Sequence, residues 1–262
     1  MRFQCGNCEG KNYWKLSNGQ LRCRSCRKDI KPYIVSSIRL TRTEWVKLID
    51  LFLIGANGPT LEELTGRNKD TINKAQRLLR VVMTADVPDV FSGEVEIDET
   101  YFGGQKKNKR KSQLKDIPKK NYGWGTTKQP VLGILERNGK VWTKIVPATE
   151  AIDLMPIITK KIKVGSQIHS DTWRAYTGLA AKGYVHRTTN HKAKEYVNAT
   201  SHINGLEGFW GYLKRKLASK GGIRREYMYL FLGEYVWRYN YRKESLKKQR
   251  NRLIKLLIGA KT

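Results

Sequence analysis

Apolar positions between residues 38 and 84 recur at helical spacing. Thr41 followed by Glu44 is a capping-box pattern, and Trp45, Leu48, Ile49, Phe52 and Leu53 repeat behind it on one face. Gly55, Gly58 and Pro59 are expected to end that helix, and Thr60 with Glu63 to cap a short second one. Gly66 then makes a turn, and a third helix is predicted from Lys69 to about Val82. Asp86 to Asp89, with Pro88, reads as a linker.

The period then shifts toward that of strands. Glu94 to Glu99 reads as a first strand, with residues 94, 96 and 98 on one face. Val131 to Arg137 and Val141 to Val146 flank Asn138-Gly139, a strong hairpin signal. Thr149 is expected to cap a helix through Ile162. A fourth strand leads through Ser166-Gln167-Ile168-His169 to Asp171, a helix follows from Thr172 to about Lys182, and Tyr184 to Thr188 makes a fifth strand. Three strands in meander, then helix-connected strands, then helices, is the element order of an RNase H-like α/β fold, with a mixed five-stranded sheet and flanking helices. In that fold the first and fourth strands are neighbours, which would bring Asp98 and Asp171 together.

From His202 onward a helix is predicted, with Asn204, Glu207, Trp210 and Lys214 near one face. The aromatic-rich tail from Glu226 to Leu257 is expected to form helices that cover the sheet and to offer a dimer contact. The domains expected are 1–36, 37–88 and 89–262, the last with a basic insert at 103–129.

Charge narrows the class. Lys and Arg number 51 against 23 Asp and Glu, a formal net charge of +28 spread over every segment. A compact fold carrying that excess needs a polyanion, and nucleic acid is the expected partner. The insert contributes Lys106, Lys107, Lys109, Arg110 and Lys111 and reads as a loop that orders on nucleic acid or as a solvated excursion. No apolar run is long enough to span a bilayer and no signal-peptide pattern opens the chain, so no membrane partner and a cytoplasmic location are expected. The three helices of 37–88 then fit a helix-turn-helix whose third helix opens with Arg67, Asn68, Lys69, Thr71 and Asn73 toward DNA; a plain three-helix packing unit fits the same pattern.

All four cysteines fall in the first 26 residues. Cys5 and Cys8, and Cys23 and Cys26, are each two residues apart, with Ser17-Asn18-Gly19 turning the chain midway. Two knuckles giving two thiolates each to one structural zinc are expected over 1–36, a zinc ribbon. Disulfides fit poorly with an intracellular DNA-seeking protein.

Acids are scarce enough that their placement is informative. Singly, Asp171 reads as a helix N-cap worth about 1 kcal/mol, and Glu207 as a surface pair with Lys214 or Arg215 worth under about 1 kcal/mol. Glu96 reads as an accessory acid or a solvated edge residue. Together, Asp98, Asp171 and Glu207 could hold two divalent metals against a phosphodiester. Trp210 reads equally as a base-stacking residue or a core anchor, with Trp173, His169 and Lys214 along the same DNA path; His202 reads as structural.

Ile97-Asp98-Glu99-Thr100-Tyr101-Phe102-Gly103-Gly104, Ser170-Asp171 and His202 through Lys214 resemble the DDE transposases of bacterial and archaeal insertion sequences, in the zinc-ribbon group related to Merlin elements (ISXO-type). The resemblance spans nearly the whole chain. It implies that Asp98, Asp171 and Glu207 are the catalytic triad holding two Mg2+ or Mn2+, and that Lys214 contacts DNA. It further implies cleavage at terminal inverted repeats, joining of the 3′ hydroxyls to target DNA, a homodimer in the DNA complex, and a nucleoid-associated place in a prokaryotic cytoplasm. Some relatives use Asn as third ligand, and Asn204 lies one turn before Glu207; an anionic ligand holds magnesium better than an amide, which favours Glu207. The alternatives are an RNase H-like structure-specific nuclease that cuts without joining, and a zinc-dependent DNA-binding regulator with an inactive catalytic domain.

Overall fold

In the computed structural model, which describes residues 5, 7–17, 21–30, 35, 37–103, 128–137, 139–171, 174–189 and 204–259, the chain divides into two units, Met1–Val82 with Glu244–Thr262 and Met83–Lys243. The first begins with strands β1 (Tyr13–Lys15), β2 (Leu21–Cys23) and β3 (Asp29–Ile30), paired antiparallel in that order. The expected hairpin places Trp14 opposite Arg22. The sequence pattern did not announce β3, whose Asp29 accepts from Arg22 Nε at 2.6 Å.

Helix α1 (Arg42–Leu53) has both arms of the capping box, with the Thr41 backbone N–H donating to Glu44 Oε2 at 2.7 Å. Helix α2 (Gly58–Thr65) starts earlier than expected. Asn57 is its cap, accepting from the Thr60 N–H at 2.9 Å, and Pro59 sits in the first turn, where its missing N–H costs nothing. Gly58 and Pro59 therefore open this helix and do not close the previous one. Helix α3 (Lys69–Ala85) runs past the expected Val82, and Asn68 spends its side chain accepting from the Thr71 N–H at 2.9 Å.

The second unit holds a mixed five-stranded sheet. Strands β4 (Glu94–Phe102), β5 (Gln129–Glu136) and β6 (Val141–Ile145) form the antiparallel meander, helix α4 (Ala151–Lys161) follows, and β7 (Gln167–Asp171) and β8 (Val185–Thr189) pair parallel. The order is β6-β5-β4-β7-β8, so the first and fourth strands of the unit are neighbours as expected. Thr149 does not cap α4: its hydroxyl meets that of Tyr101 at 3.0 Å, and Glu150 stands at the N-cap without a side-chain bond. The helix expected over 172–182 is two short 3-10 turns, Arg174–Tyr176 and Ala180–Lys182, with Gly178 between them and Gly183 at φ 84° closing the second. Thr172 and Trp173 lie outside the described residues.

The two faces of the sheet bury different things. Val95 and Ile97 of β4 face Leu132, Ile134 and Ile168 and pack with Leu154 and Ile158 of α4, which makes one core. The other face carries Val131, Leu135 and Val141 beneath helices α5 (Asn204–Ala218) and α6 (Met228–Asn240), from which Leu206, Phe209, Trp210, Leu232 and Val236 descend. Glu94, Glu96 and Asp98 lie on this second face. A strand that looks half solvated by its alternation is thus covered by α5. The Asn240 side-chain amide bonds both the N–H and the C=O of Val141, at 2.8 and 2.9 Å, and so covers the open edge of β6.

The last helix, α7 (Leu246–Gly259), belongs to the first unit: Arg250 pairs with Asp50 of α1 at 2.7 Å, and Leu253, Ile254 and Leu257 are buried. Of the tail expected to cover the sheet, α6 does so. Among the described residues no helix is long and apolar enough to cross a membrane.

Candidate active site and metal centre

Strand register brings the acids together. Glu96 pairs with His169 at the end of the parallel β4–β7 ladder, and Asp98 and Asp171 each stand two residues further on, hence on the same face. Asp98 lies opposite Gly133 of β5. A Cβ at Gly133 would come within 2.4 Å of Trp210 Cζ2, so the missing side chain is what lets the indole of α5 lie across the sheet. From there Trp210 Nε1 donates to Asp98 Oδ2 at 3.0 Å.

Electrostatics report the convergence. The Asp98 carboxyl is pushed up to about 7, first by burial, then by the charge of Asp171 and in smaller measure that of Glu207; the Trp210 indole N–H and the Glu99 backbone N–H pull it back. Glu99 points to the opposite face, where the Tyr176 hydroxyl donates to it. Its carboxyl is pushed up to about 8, mainly by burial; the Tyr176 bond opposes this, while the charges of Asp98 and Asp171 add to it.

Glu207 stands exposed in the first turn of α5, and what fixes that turn is Glu96. Glu96 is 2% exposed, accepts the Leu206 backbone N–H at 2.8 Å, and receives Arg137 Nε at 3.4 Å. Arg137 also donates to Glu94 at 2.5 Å. Gly205 permits the approach, since a Cβ there would sit 2.6 Å from Leu135 Cδ2 and 3.0 Å from Glu96 Oε2. Glu96 is therefore neither a solvated edge residue nor a bystander. Beyond Asp171, Ser170 donates to the Asp171 carbonyl at 2.8 Å and meets His186 Nε2 at 2.8 Å.

The remaining candidates divide. Asn204 and Lys214 are exposed on α5, at its first residue and seven positions past Glu207, and Lys69 is exposed at the start of α3. Arg67 is engaged with Glu44, its Nε 2.9 Å from Oε1, which ties the turn before α3 to the first turn of α1. Trp210 is 4% exposed and packed against Phe102 and Phe209, so no ring face is open to a base. His169 is fully buried and bonds Gln167, so it offers no surface to DNA. Lys106, Lys107, Trp173 and His202 lie outside the described residues. Sequence reasoning missed Gly133 and Arg137; a glycine inside the buried run Pro130-Val131-Leu132-Gly133-Ile134-Leu135 was the available signal.

In the first unit, the Cys5, Cys8, Cys23 and Cys26 sulfurs all lie within 4.8 Å of one another. Cys5–Cys26 and Cys8–Cys23 are 3.7 and 3.5 Å apart, far from a disulfide's roughly 2.05 Å and close to the edge of about 3.8 Å of a tetrahedron of thiolates around zinc. Glu9 and Arg27, each directly after the second cysteine of its knuckle, take left-handed φ of 57° and 54°, so the two turns match. The Cys23 thiol is lowered to about 6, first by the Cys26 backbone N–H, whereas Cys8 is pushed up to about 12: the Gly10 backbone bond lowers it, but the neighbouring thiols raise it more. This donor set fits zinc. The carboxylate set, hard oxygen donors held close enough to raise Asp98, fits a divalent cation such as magnesium, although among the described residues only the cysteines converge to within 4.8 Å.

Residues 90–240 match the ISXO2-like transposase domain, and the chain belongs to that family. It is 35% identical over 121 residues to an uncharacterized transposase-like protein of Haemophilus influenzae, covering 46% of this chain and 96% of that one. It is 25% identical over 201 residues to an uncharacterized protein in transposable element ISH50 of Halobacterium salinarum, covering 72% of this chain and 65% of that one. Among solved structures it is similar to a chain of a simian T-cell lymphotropic virus intasome in complex with PP2A regulatory subunit B56 gamma, at 12% identity, TM-score 0.35, and 75% and 68% of the two chains. The Mos1 strand transfer complex gives 11% identity, TM-score 0.27, and 84% and 78%.

Proposed function

We propose that this protein is a DDE transposase with an RNase H-like catalytic domain over 89–262, whose last helix, α7, packs within the first unit, preceded by a zinc ribbon over 1–36 and a helix-turn-helix over 37–88. Asp98, Asp171 and Glu207 are its catalytic and magnesium-binding residues. The observation that carries this reading is the β4–β7 register, which sets Asp98 and Asp171 on one face of the sheet, beneath the helix α5 that bears Glu207 and gives its Trp210 N–H to Asp98.

The reaction is hydrolysis of one phosphodiester at each element end, which leaves a 3′ hydroxyl, followed by attack of that hydroxyl on a target phosphodiester. Two divalent cations, when bound, supply Lewis-acid activation of the attacking oxygen and neutralise charge on the phosphate. Asp98 and Asp171 provide the fixed donors, held by paired strands, and Glu207 provides the donor that a helix can adjust. Lys214 and Asn204, exposed on the same helix, meet the DNA backbone beside them. Lys106 and Lys107 of the insert, and Lys69 with Arg67 at the head of α3, extend the contact; Arg67 does so from a side chain already anchored on Glu44. The zinc is structural, closed by four thiolates. Two ends must be held at once, so a homodimer forms on double-stranded DNA.

Asp98→Asn tests the site: cleavage of an element end is abolished while end binding is kept. Pre-cleaved ends test the class, since a transposase joins them to target DNA and a nuclease of the same fold does not.

A further inference from the structure

Glu207 sits at the exposed first turn of a helix, a poor place for a group that has to stand still beside Asp98. Helix ends fray because their first four N–H groups have no partner inside the helix. Two contacts counter this, one on each side of Glu207. One residue before it, the Leu206 N–H is taken by the buried Glu96 carboxylate of β4 at 2.8 Å. Three residues after it, the Trp210 indole N–H is given to Asp98 of the same strand at 3.0 Å. Both contacts need a glycine opposite: Gly205 lets the backbone approach Glu96, and Gly133 lets the indole reach Asp98. Arg137 bridges Glu96 and Glu94 beside the first contact.

We propose that Glu96 and Trp210 are positioning residues, a two-point clamp that fixes α5 on β4 so that Glu207 and Asp98 present their oxygens to one cation. This rests on the reading of Asp98, Asp171 and Glu207 as the metal-binding acids. Trp210 thus acts through Asp98 and the helix and not by stacking on DNA.

The test uses the full chain, a duplex taken from the ends of its element, and Mn2+ as the probe. Single-turnover cleavage is measured against Mn2+ concentration, with end binding followed by fluorescence anisotropy. Trp210→Phe, which keeps an aromatic ring but removes the donor, should raise half-saturating Mn2+ and lower the rate each by on the order of 10-fold, with end binding unchanged. Glu96→Ala should do likewise, while Glu96→Gln, which keeps an oxygen for the Leu206 N–H, should stay within about 3-fold of the parent.

Parental Mn2+ dependence in both Trp210→Phe and Glu96→Ala overturns the clamp. So does an equal loss in Glu96→Gln and Glu96→Ala. Should Trp210→Phe not fold, the Glu96 pair decides alone. Asp98→Asn, run alongside, separates the two levels: if it cleaves normally the site assignment itself fails, and if it is inactive while the clamp variants behave as the parent, only the clamp fails.

Discussion

The two candidate metal centres reach their geometry by opposite routes. The four cysteines lie within 22 consecutive residues, and two matched turns bring their sulfurs within 4.8 Å of one another. Asp98 and Glu207 are 109 positions apart, on a strand and a helix, and are brought to the same side of the sheet only because α5 lies across β4, with Trp210 bonded to Asp98. Thiols can approach while protonated; carboxylates at neutral pH repel. The cysteine cluster is therefore a local product of the chain, whereas the acid cluster is a tertiary product held under electrostatic tension.

That contrast can be broken first at the cysteines. Zinc content should be one per chain, and Cys8→Ser or a strong chelator should unfold residues 5–30 and weaken element-end binding by on the order of 100-fold, as metal binding is folding for so small a module. Circular dichroism of a fragment-independent kind, on the whole chain, should show the sheet signal retained. Binding that survives zinc loss would remove the ribbon from end recognition.

The tension at the acids should appear as a pH dependence of stability. Asp98 is raised from the usual 3.8 to about 7, so its protonated form is favoured in the fold. Its contribution is present in full below about pH 4 and is lost as pH rises through about 7, a cost of up to about 4 kcal/mol in metal-free protein. Urea unfolding between pH 4 and 8 should show that loss, Asp98→Asn should reduce it, and Mn2+ should offset it.

Gly133→Ala puts a methyl into the space of the Trp210 indole and should cost about 1–3 kcal/mol through overpacking, read as a lower urea midpoint. The smallest effect is expected at the surface. Lys214→Ala should reduce the salt slope of DNA binding by about one and weaken binding uniformly across sequences.

The same contrast explains what was legible in the sequence. The cysteine spacing, the Thr41–Glu44 capping box and the meander around Asn138-Gly139 are local signals, and the elements around them are present where expected, though Asn138 itself lies outside the described residues. The neighbouring placement of β4 and β7 followed from element order alone. Boundaries set by competing caps were misread: Asn57 outbid Thr60, and Thr149 was drawn off by Tyr101. The burial of Glu96 and Trp210 was not legible, because which face of β4 a helix covers is decided by a segment that follows more than a hundred residues later. Glycines at 133 and 205 record that covering, but their meaning shows only once the indole and the carboxylate beside them are in place.

The most direct test of the account is anomalous diffraction from crystals of the protein soaked in Mn2+. The account predicts a manganese peak within ligand distance of the carboxylates of Asp98, Asp171 and Glu207, lost in Asp98→Asn. A peak coordinated by Asn204 in place of Glu207, or no manganese between Asp98 and Asp171, would contradict it.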